Sequence, residues 1–396
     1  MELISVKYSI PYVAFLLFLV MLAFVEFRQM NKNQEIRYLR YIVIISFSLF
    51  FGLKGFAGRD TFNYYYAFNY LPTIWNWSLS DFNLSVFEVG FKAYMVLLKS
   101  ISPNFIFFSF ISVLIDALIL DVIIRRYSKY YVFAFVVYIA FYGQVFEMEQ
   151  IRNTKAVLLF FLSLKYVEQN RFLPYLFLNL IGFTFHRSAI LYVVLYPFLN
   201  QRYSIYFYFT IFVVGTLLLI FQIEYIKPIL VFIGNLFGGS IEKKVTSYIA
   251  SELYSQNTSI FTLGSIERVV SYLIFCFFFY KKLIERDERN NIMINLFTLY
   301  FISYFYLGEM VITVIRVSAL FAPCYMILYP NILYEITTKA YKQLMFVCLV
   351  LYACVRLSLN TKFAEYTYEN VLLHKPDMEQ RAKTLKRVNE QQPKNN

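Results

Sequence analysis

The sequence predicts an all-α, polytopic integral membrane protein of about twelve transmembrane helices, on three observations. Apolar residues make up 59% of the 396-residue chain and charged residues only 16%. Apolar runs approaching the roughly 20 residues that a bilayer crossing needs recur along nearly the whole length. The lysines and arginines gather in the short stretches between those runs. With 12 glycines and 10 prolines, the composition fits neither a disordered nor a linker-rich chain. No stretch of soluble-domain size is left over, so a single integral membrane domain over 1–360 and a polar tail over 361–396 are expected.

Taken in order, the crossings are expected at 10–27, 38–56, 104–124, 131–146, 151–167, 172–185, 188–199, 204–223, 269–280, 292–307, 311–329 and 344–357. The first run, "IPYVAFLLFLVMLAFVEF", has no small-residue cleavage site behind it and reads as a retained span. The connectors "RQMNKNQEIRYLR", "RRYSK", "KYVEQNR", "NQRYS", "KKLIERDERN" and "TTKAYK" fall at every second gap and hold sixteen of the 37 basic residues. The positive-inside bias puts these connectors in the cytoplasm, which makes the net charge of +12 a mark of topology rather than of nucleic-acid binding. Loops 57–103, 147–150, 224–268 and 308–309 then face outside. By the same count the tail from 374, with six basic and three acidic residues, also falls outside, against the usual bias.

Two outer loops are long enough for structure of their own. "SVFEVGFKAYMVLLKSI" is amphipathic and too short to cross, so a helix at the outer interface is expected. "FIGNLFGGSIEKKVTSYIASELYSQNTS" suggests a similar lid. No internal repeat is visible, which weighs against a transporter built from duplicated halves. The four cysteines all lie in apolar segments, with no spacing for a metal or a disulfide framework. The 36 tyrosines and 45 phenylalanines admit two readings: interfacial aromatic belts, or ring faces for sugars.

Ionisable groups in or beside lipid are costly and need a partner, a cavity or a ligand. Five places qualify. Arg59 and Asp60 open the first long outer loop, directly before the aromatic run "TFNYYYAFNY". Their plain reading is an ion pair fixing the loop. The functional one is a carboxylate that can take a hydroxyl proton beside a guanidinium that can hold an anion. In "FEMEQIRNTKAVLLFF", Glu149, Arg152 and Asn153 are expected on one helical face at the outer end of a span, with Lys155 adding a second cation. In "LNLIGFTFHRSAILYVV", His186 and Arg187 sit between two apolar runs that are each short for a span, an arrangement that lets both line a cleft. Arg268 lies at the mouth of a span, where snorkelling is the plain reading. Glu309, Thr313 and Arg316 follow one another at i, i+4 and i+7, expected on one helix face with Arg316 about 10 Å inside the boundary. The outer leaflet thus holds more arginine than nearby acid, and the arginine fork suits a diphosphate carried on a lipid.

The ordered set "GRDTFNYY", "FEVGF", "EQIRNTKAVLLFF", "FHRSAI", "GSIERVVSY" and "VIRVSALFAP" resembles the EpsG/Wzy group of bacterial polysaccharide polymerases over residues 55–330. It departs from that group at 152–156, where a run often reading "RQAIA" is "RNTKA", and at Val89, often a proline; neither change removes a charge. The resemblance implies a C-type (GT-C-like), inverting glycosyltransferase on the outer face of the bacterial inner membrane. Such an enzyme joins undecaprenyl-diphosphate-linked repeat units into O-antigen, capsule or exopolysaccharide.

The roles it implies are Asp60 or His186 as base, and Arg152, Arg187, Arg268 and Arg316 on the diphosphate. Arg59 would orient Asp60 or the glycan, Glu88 and Glu309 would orient sugars or arginines, and Tyr64 and Tyr65, with Tyr66, would stack on the chain. No metal and no cofactor are implied. The partners are the lipid-linked donor and acceptor, membrane lipid, and a chain-length regulator, without nucleic acid. The rivals are a lipid-linked oligosaccharide flippase, an O-antigen ligase-type glycosyltransferase and an integral acyltransferase.

Overall fold

A computed structural model describes residues 4–30, 37–78, 87–237, 239, 243, 246, 258–373 and 377–383. The described residues are helical almost throughout and contain no strand; an isolated bridge pairs Ile4 with Phe363. The chain divides into two compact units, one formed by Met1–Val194 with Tyr329–Asn396, the other by Leu195–Leu328.

Among the described residues, four helices are long and apolar enough to cross a membrane: Val6–Met30, Phe105–Tyr127, Tyr131–Met148 and Lys339–Thr361. The number becomes six if each of two bent pairs is a single span. The expected crossing at 269–280 lies in a helix that turns by 60° at residue 279, and the one at 311–329 bends by 46° between Ala319 and Ala322. Phe172–Phe185, Arg187–Leu199 and Ile205–Ile220 are shorter apolar helices. Breaks inside an apolar run, to which hydropathy is blind, account for two of the expected crossings, and short helices such as Arg37–Gly52, Phe172–Phe185 and Asn290–Phe305 for most of the rest.

In the first unit, breaks and helix ends are satisfied by buried side chains. Glu26, fully buried on the Ile10–Met30 helix, accepts from the backbone N–H groups of Tyr131 (2.6 Å), Val132 (3.0 Å) and Phe133 (3.2 Å), the open end of the Tyr131–Tyr138 helix. Those amides have no partner within their own helix, and an acid at that end also meets the positive pole of the helix dipole. Nearby charges in the expected cytoplasmic connectors are paired. Asp121 holds Arg40 through two bonds of 3.0 Å and Arg125 through one of 2.9 Å, while Arg126 pairs with Glu168.

The opposite end carries the 57–103 loop, read from the sequence as outer. Gly58, at φ +108°, donates to the Glu365 carbonyl at 2.9 Å, and a Cβ there would lie 2.5 Å from the Met148 carbonyl. The amphipathic outer helix forms as expected, as Val89–Ile101, burying Phe91, Met95, Val96 and Leu98. Gly90 lets it close on the Phe172–Phe185 helix, since a Cβ would meet Thr184 Oγ1 at 2.1 Å. Residues 79–86 lie outside the described set.

The described part of the expected polar tail folds back on this same end. Tyr12 donates to the Tyr366 carbonyl at 2.8 Å, Val371 N–H to the Leu53 carbonyl at 3.1 Å and Tyr368 to the Phe50 carbonyl at 2.9 Å. The Tyr368 ring stacks on Phe50 with centroids 4.5 Å apart. Buried Arg381 donates to the Ala364 carbonyl at 2.8 Å and lies 3.9 Å from Glu369. The described segment after the last helix thus packs on the same end of the unit as the 57–103 loop. Residues 374–376 and 384–396 lie outside the described set.

The second unit is centred on the Asn290–Phe305 helix, which is buried along nearly its whole length. Asn295 donates to the Leu199 carbonyl at 2.9 Å and accepts from Tyr208 at 2.7 Å. The rings of Phe297, Tyr300 and Phe301 on this helix pack against those of Tyr272 and Tyr325. Ile226–Phe237 is helical, but most of the expected lid, 238–257, lies outside the described residues. Much of the aromatic excess is thus core: nine of the largest fully buried side chains are tyrosines. Tyr12, Tyr138, Tyr208 and Tyr272 are examples whose hydroxyls reach a carbonyl or polar side chain inside the protein.

Replacing Glu26 by alanine strands three amides, so Glu26→Ala should lower stability by about 2–3 kcal/mol. Thermal unfolding of the detergent-solubilised protein reads this, and Glu26→Gln, which keeps an acceptor, should lose less.

Candidate active site

The site in the first unit is built on two helix breaks. The first follows Met148: Glu149 and Gln150 leave the helix and a new one starts at Ile151. The sequence had put Glu149, Arg152 and Asn153 on one continuous face; the break separates Glu149 from the others and gives the two charges different partners. Glu149 accepts from the Tyr366 hydroxyl and lies 3.9 Å from Arg59, which is also 3.9 Å from Glu365 and over the Phe363 ring. Burial pushes the Glu149 carboxyl up from the ordinary glutamate value, against the lowering effects of the Tyr366 bond and of Arg59. Asp60 stands half-buried at the head of the Thr61–Tyr70 helix, its carboxylate 3.4 Å from the Asn63 amide.

Arg152, in the first turn after the break, donates to Glu88 at 2.6 Å and lies with its guanidinium carbon 4.5 Å from the Phe87 ring centre. Its Nε–H is buried without a hydrogen-bond partner among the described residues. "FEVGF" becomes legible here: Phe87 and Glu88 grip Arg152, Gly90 admits the neighbouring helix, and Phe91 packs edge-on to Tyr64. Lys155, the second cation of that stretch, is buried against Asp116 and the Ser112 carbonyl (2.7 Å) of the Phe105–Tyr127 helix.

The second break is the expected one at His186, between Phe172–Phe185 and Ile190–Leu199. His186 Nδ1 lies 2.6 Å from Ser188 Oγ and 3.3 Å from Ser188 N. With the one Ser188 hydroxyl proton directed to Asn153, the 2.6 Å contact is a hydrogen bond when Nδ1 donates to Oγ, and which ring nitrogen carries the proton follows that hydroxyl. Ser188 Oγ donates to Asn153 at 3.3 Å and Asn153 to Gln150 at 2.9 Å, so a polar chain joins the two breaks. Arg187 is exposed, with no side-chain partner among the described residues.

Tyr64 is buried, and burial pushes its phenol up to about 12. Its hydroxyl donates to the Glu149 carbonyl at 2.9 Å, so the residue fastens the corner and has no open face for a sugar. Tyr65 is half-buried and Tyr66 exposed.

In the second unit Arg268 is buried rather than snorkelling. It donates to the Gly264 carbonyl at 2.6 Å, its guanidinium carbon lies 3.9 Å from the Tyr304 ring centre and 5.0 Å from that of Tyr300, and Glu267 is 3.9 Å away. Glu309 is not stacked with Thr313 and Arg316: it lies in the turn before the Val311–Ala319 helix. Its buried carboxylate accepts from the backbone of Tyr225, Ile226 (2.8 Å) and Lys227 (3.1 Å), capping the Ile226–Phe237 helix. Its acceptor capacity goes to those amides, which leaves little to orient a sugar or an arginine. Arg316 is exposed, with no ion pair or hydrogen bond among the described residues.

Asp116, Ser188, Glu365 and Tyr366 were missed as members of these networks. Asp116 had a signal, an acid within the apolar run "ISVLIDALIL". Tyr366 and Glu365 had none, because they lie in the stretch read as a tail.

The family model of EpsG matches residues 37–373, which takes in all of the second unit and most of the first. The chain belongs to the EpsG family. That family is one of polysaccharide polymerase-like membrane proteins, so membership supports a role in polysaccharide biosynthesis. No curated protein and no solved structure matches the chain.

Because the folded state raises the Glu149 carboxyl, it holds that proton more tightly than the unfolded chain does. The stability linked to it is full below the unfolded value and is lost as pH rises through the folded one. Glu149→Gln should therefore raise the thermal midpoint at about pH 8 and change it little at about pH 4.

Proposed function

We propose that this EpsG protein is a polysaccharide polymerase, an inverting glycosyltransferase that joins undecaprenyl-diphosphate-linked repeat units at the outer face of the bacterial inner membrane. The observation that carries this reading beyond the family is Arg152. A guanidinium pinned by Glu88 and Phe87 at a helix break, with a buried Nε–H unmet, favours an incoming anion. An unmet buried donor costs about 1–3 kcal/mol, and a diphosphate oxygen would relieve that cost. A C-type scaffold of about twelve crossings, several of them broken, suits such a site, because non-helical backbone at membrane depth is tolerated where it lines a cavity.

In the reaction, a sugar hydroxyl of one lipid-linked unit attacks the anomeric carbon of the other. The bond from that carbon to the diphosphate oxygen breaks, the configuration inverts, and undecaprenyl diphosphate departs with the electron pair. Diphosphate is already a good leaving group, so the protein's task is to hold its charge and take one proton. Arg152 and Arg187 in the first unit, and Arg268 and Arg316 in the second, are each candidates to hold a phosphate oxygen, and Arg59 to orient Asp60 or the glycan. Asp60 is favoured over His186 as the base. His186, its Nδ1 engaged with Ser188, is the second candidate. Glu88 acts through Arg152. A chain-length regulator is the partner a polymerase of this kind would take.

Purified protein in lipid nanodiscs, given its own lipid-linked repeat unit, should produce a ladder of longer glycans. Asp60→Asn and Arg316→Ala should each cut the rate by about 100-fold or more. Movement of the lipid-linked unit between leaflets without a ladder would assign a flippase instead, and transfer to a lipid A acceptor without a ladder would assign a ligase.

A further inference from the structure

The first unit contains an open cavity of about 610 Å³ with aromatic walls from Phe56, Tyr65 and Phe105, carboxamides from Asn69 and Asn104, and Val371 of the returning C-terminal segment. We propose that this cavity is a subsite for an uncharged stretch of glycan. That identity rests on the polymerase reading, while the chemistry of the walls stands by itself.

The size lies within the roughly 300–1,000 Å³ of small-molecule sites. No lysine, arginine, aspartate or glutamate lines the cavity, so it is not built for the diphosphate. Phe56 and Phe105 are buried and back the wall, nearly parallel, 11° apart with centroids at 6.0 Å; half-buried Tyr65, edge-on to both at 5.2 and 5.3 Å, is the ring that offers surface. Pyranose rings present C–H faces to aromatic surfaces and hydroxyls to amides.

The polar groups of the wall are uncommitted. Asn104 Oδ1 accepts from Ile106 N–H at 2.8 Å, which fixes the amide and leaves its NH₂ to donate. The Asn69 side chain and the Tyr65 hydroxyl make no hydrogen bond among the described residues. Lys99 is already occupied by the Asn69 carbonyl (2.7 Å) and that of Leu71. A hydrocarbon chain in this space would desolvate those groups at about 1–3 kcal/mol each, whereas a polyhydroxylated ligand would pair them.

Tyr65 and Asn69 are i and i+4, one above the other on the Thr61–Tyr70 helix, whose first turn is headed by Asp60. At about 1.5 Å and 100° per residue they stand about 7 and about 14 Å along the axis from Asp60 and on a face turned away from it, so the cavity is a subsite beside the helix, apart from the carboxylate.

The test uses the full-length protein in nanodiscs and, as probe, neutral oligosaccharides of one to three repeat units cut from the native cell's own polymer, titrated by calorimetry. Wild type should bind them. Tyr65→Phe, which keeps the ring, and Asn69→Ala, at an exposed and unpaired position, should each weaken binding about three- to tenfold without lowering the thermal midpoint. Absence of binding, or binding unchanged in both variants, overturns the inference, as does displacement of the oligosaccharide by glycan-free undecaprenyl phosphate. Variant-sensitive binding without a polymer ladder would keep the subsite and reject the polymerase reading. A ladder with variant-insensitive binding would reject the subsite alone.

Discussion

An amide or carbonyl freed from its helix beside a bilayer has no water to turn to, and the protein has to satisfy it from within. This constraint shapes both units. Glu26 answers it for the amides at Tyr131–Phe133, and Glu309 answers it for Tyr225–Lys227. Each carboxylate reaches a helix far away in sequence and is used up in doing so. Of the two, Glu309 lies on the side read as outer; the guanidiniums there have largely found acids of their own, Arg59 beside Glu149 and Glu365, Arg152 on Glu88 and Arg268 beside Glu267, which leaves Arg187 and Arg316 without one among the described residues.

The same constraint explains why the breaks are where chemistry is placed. At 149–150 and at 186 the chain leaves the helix, and the polar chain Gln150–Asn153–Ser188–His186 ties the two openings together. Around the first opening, the 55–60 loop and the returning C-terminal segment close from two sides through Gly58, Tyr64 and Tyr366. A carboxylate, a guanidinium and an unmet N–H are thereby held on a rigid frame, which is the condition for electrostatic work on a charged leaving group.

Much of this was legible in the sequence. Apolar run length and charged connectors gave the membrane class, and a pair of short apolar runs around His186 gave the second break. The amphipathic stretch before Ile101 gave the outer helix. What failed did so for one reason: face arguments assume an unbroken helix. Glu149 was placed with Arg152, and Glu309 with Arg316, by counting residues across breaks the count cannot see. Long-range partners were equally invisible, since nothing local in "TKFAEYTYEN" announces that Tyr366 will bond to Glu149, 217 positions away. Tyr64 looked like a sugar platform because an aromatic run does not say which rings turn inward.

The claim on which the functional account depends is that Arg152 is held open for a phosphorylated lipid. The direct measurement is the affinity of nanodisc-embedded protein for undecaprenyl diphosphate carrying no sugar, compared between wild type and Arg152→Lys. The lysine keeps a positive charge for Glu88 but removes the fork and its Nε–H. At least about tenfold weaker binding with an unchanged thermal midpoint is the expected result. Equal affinity in the two proteins would contradict the account.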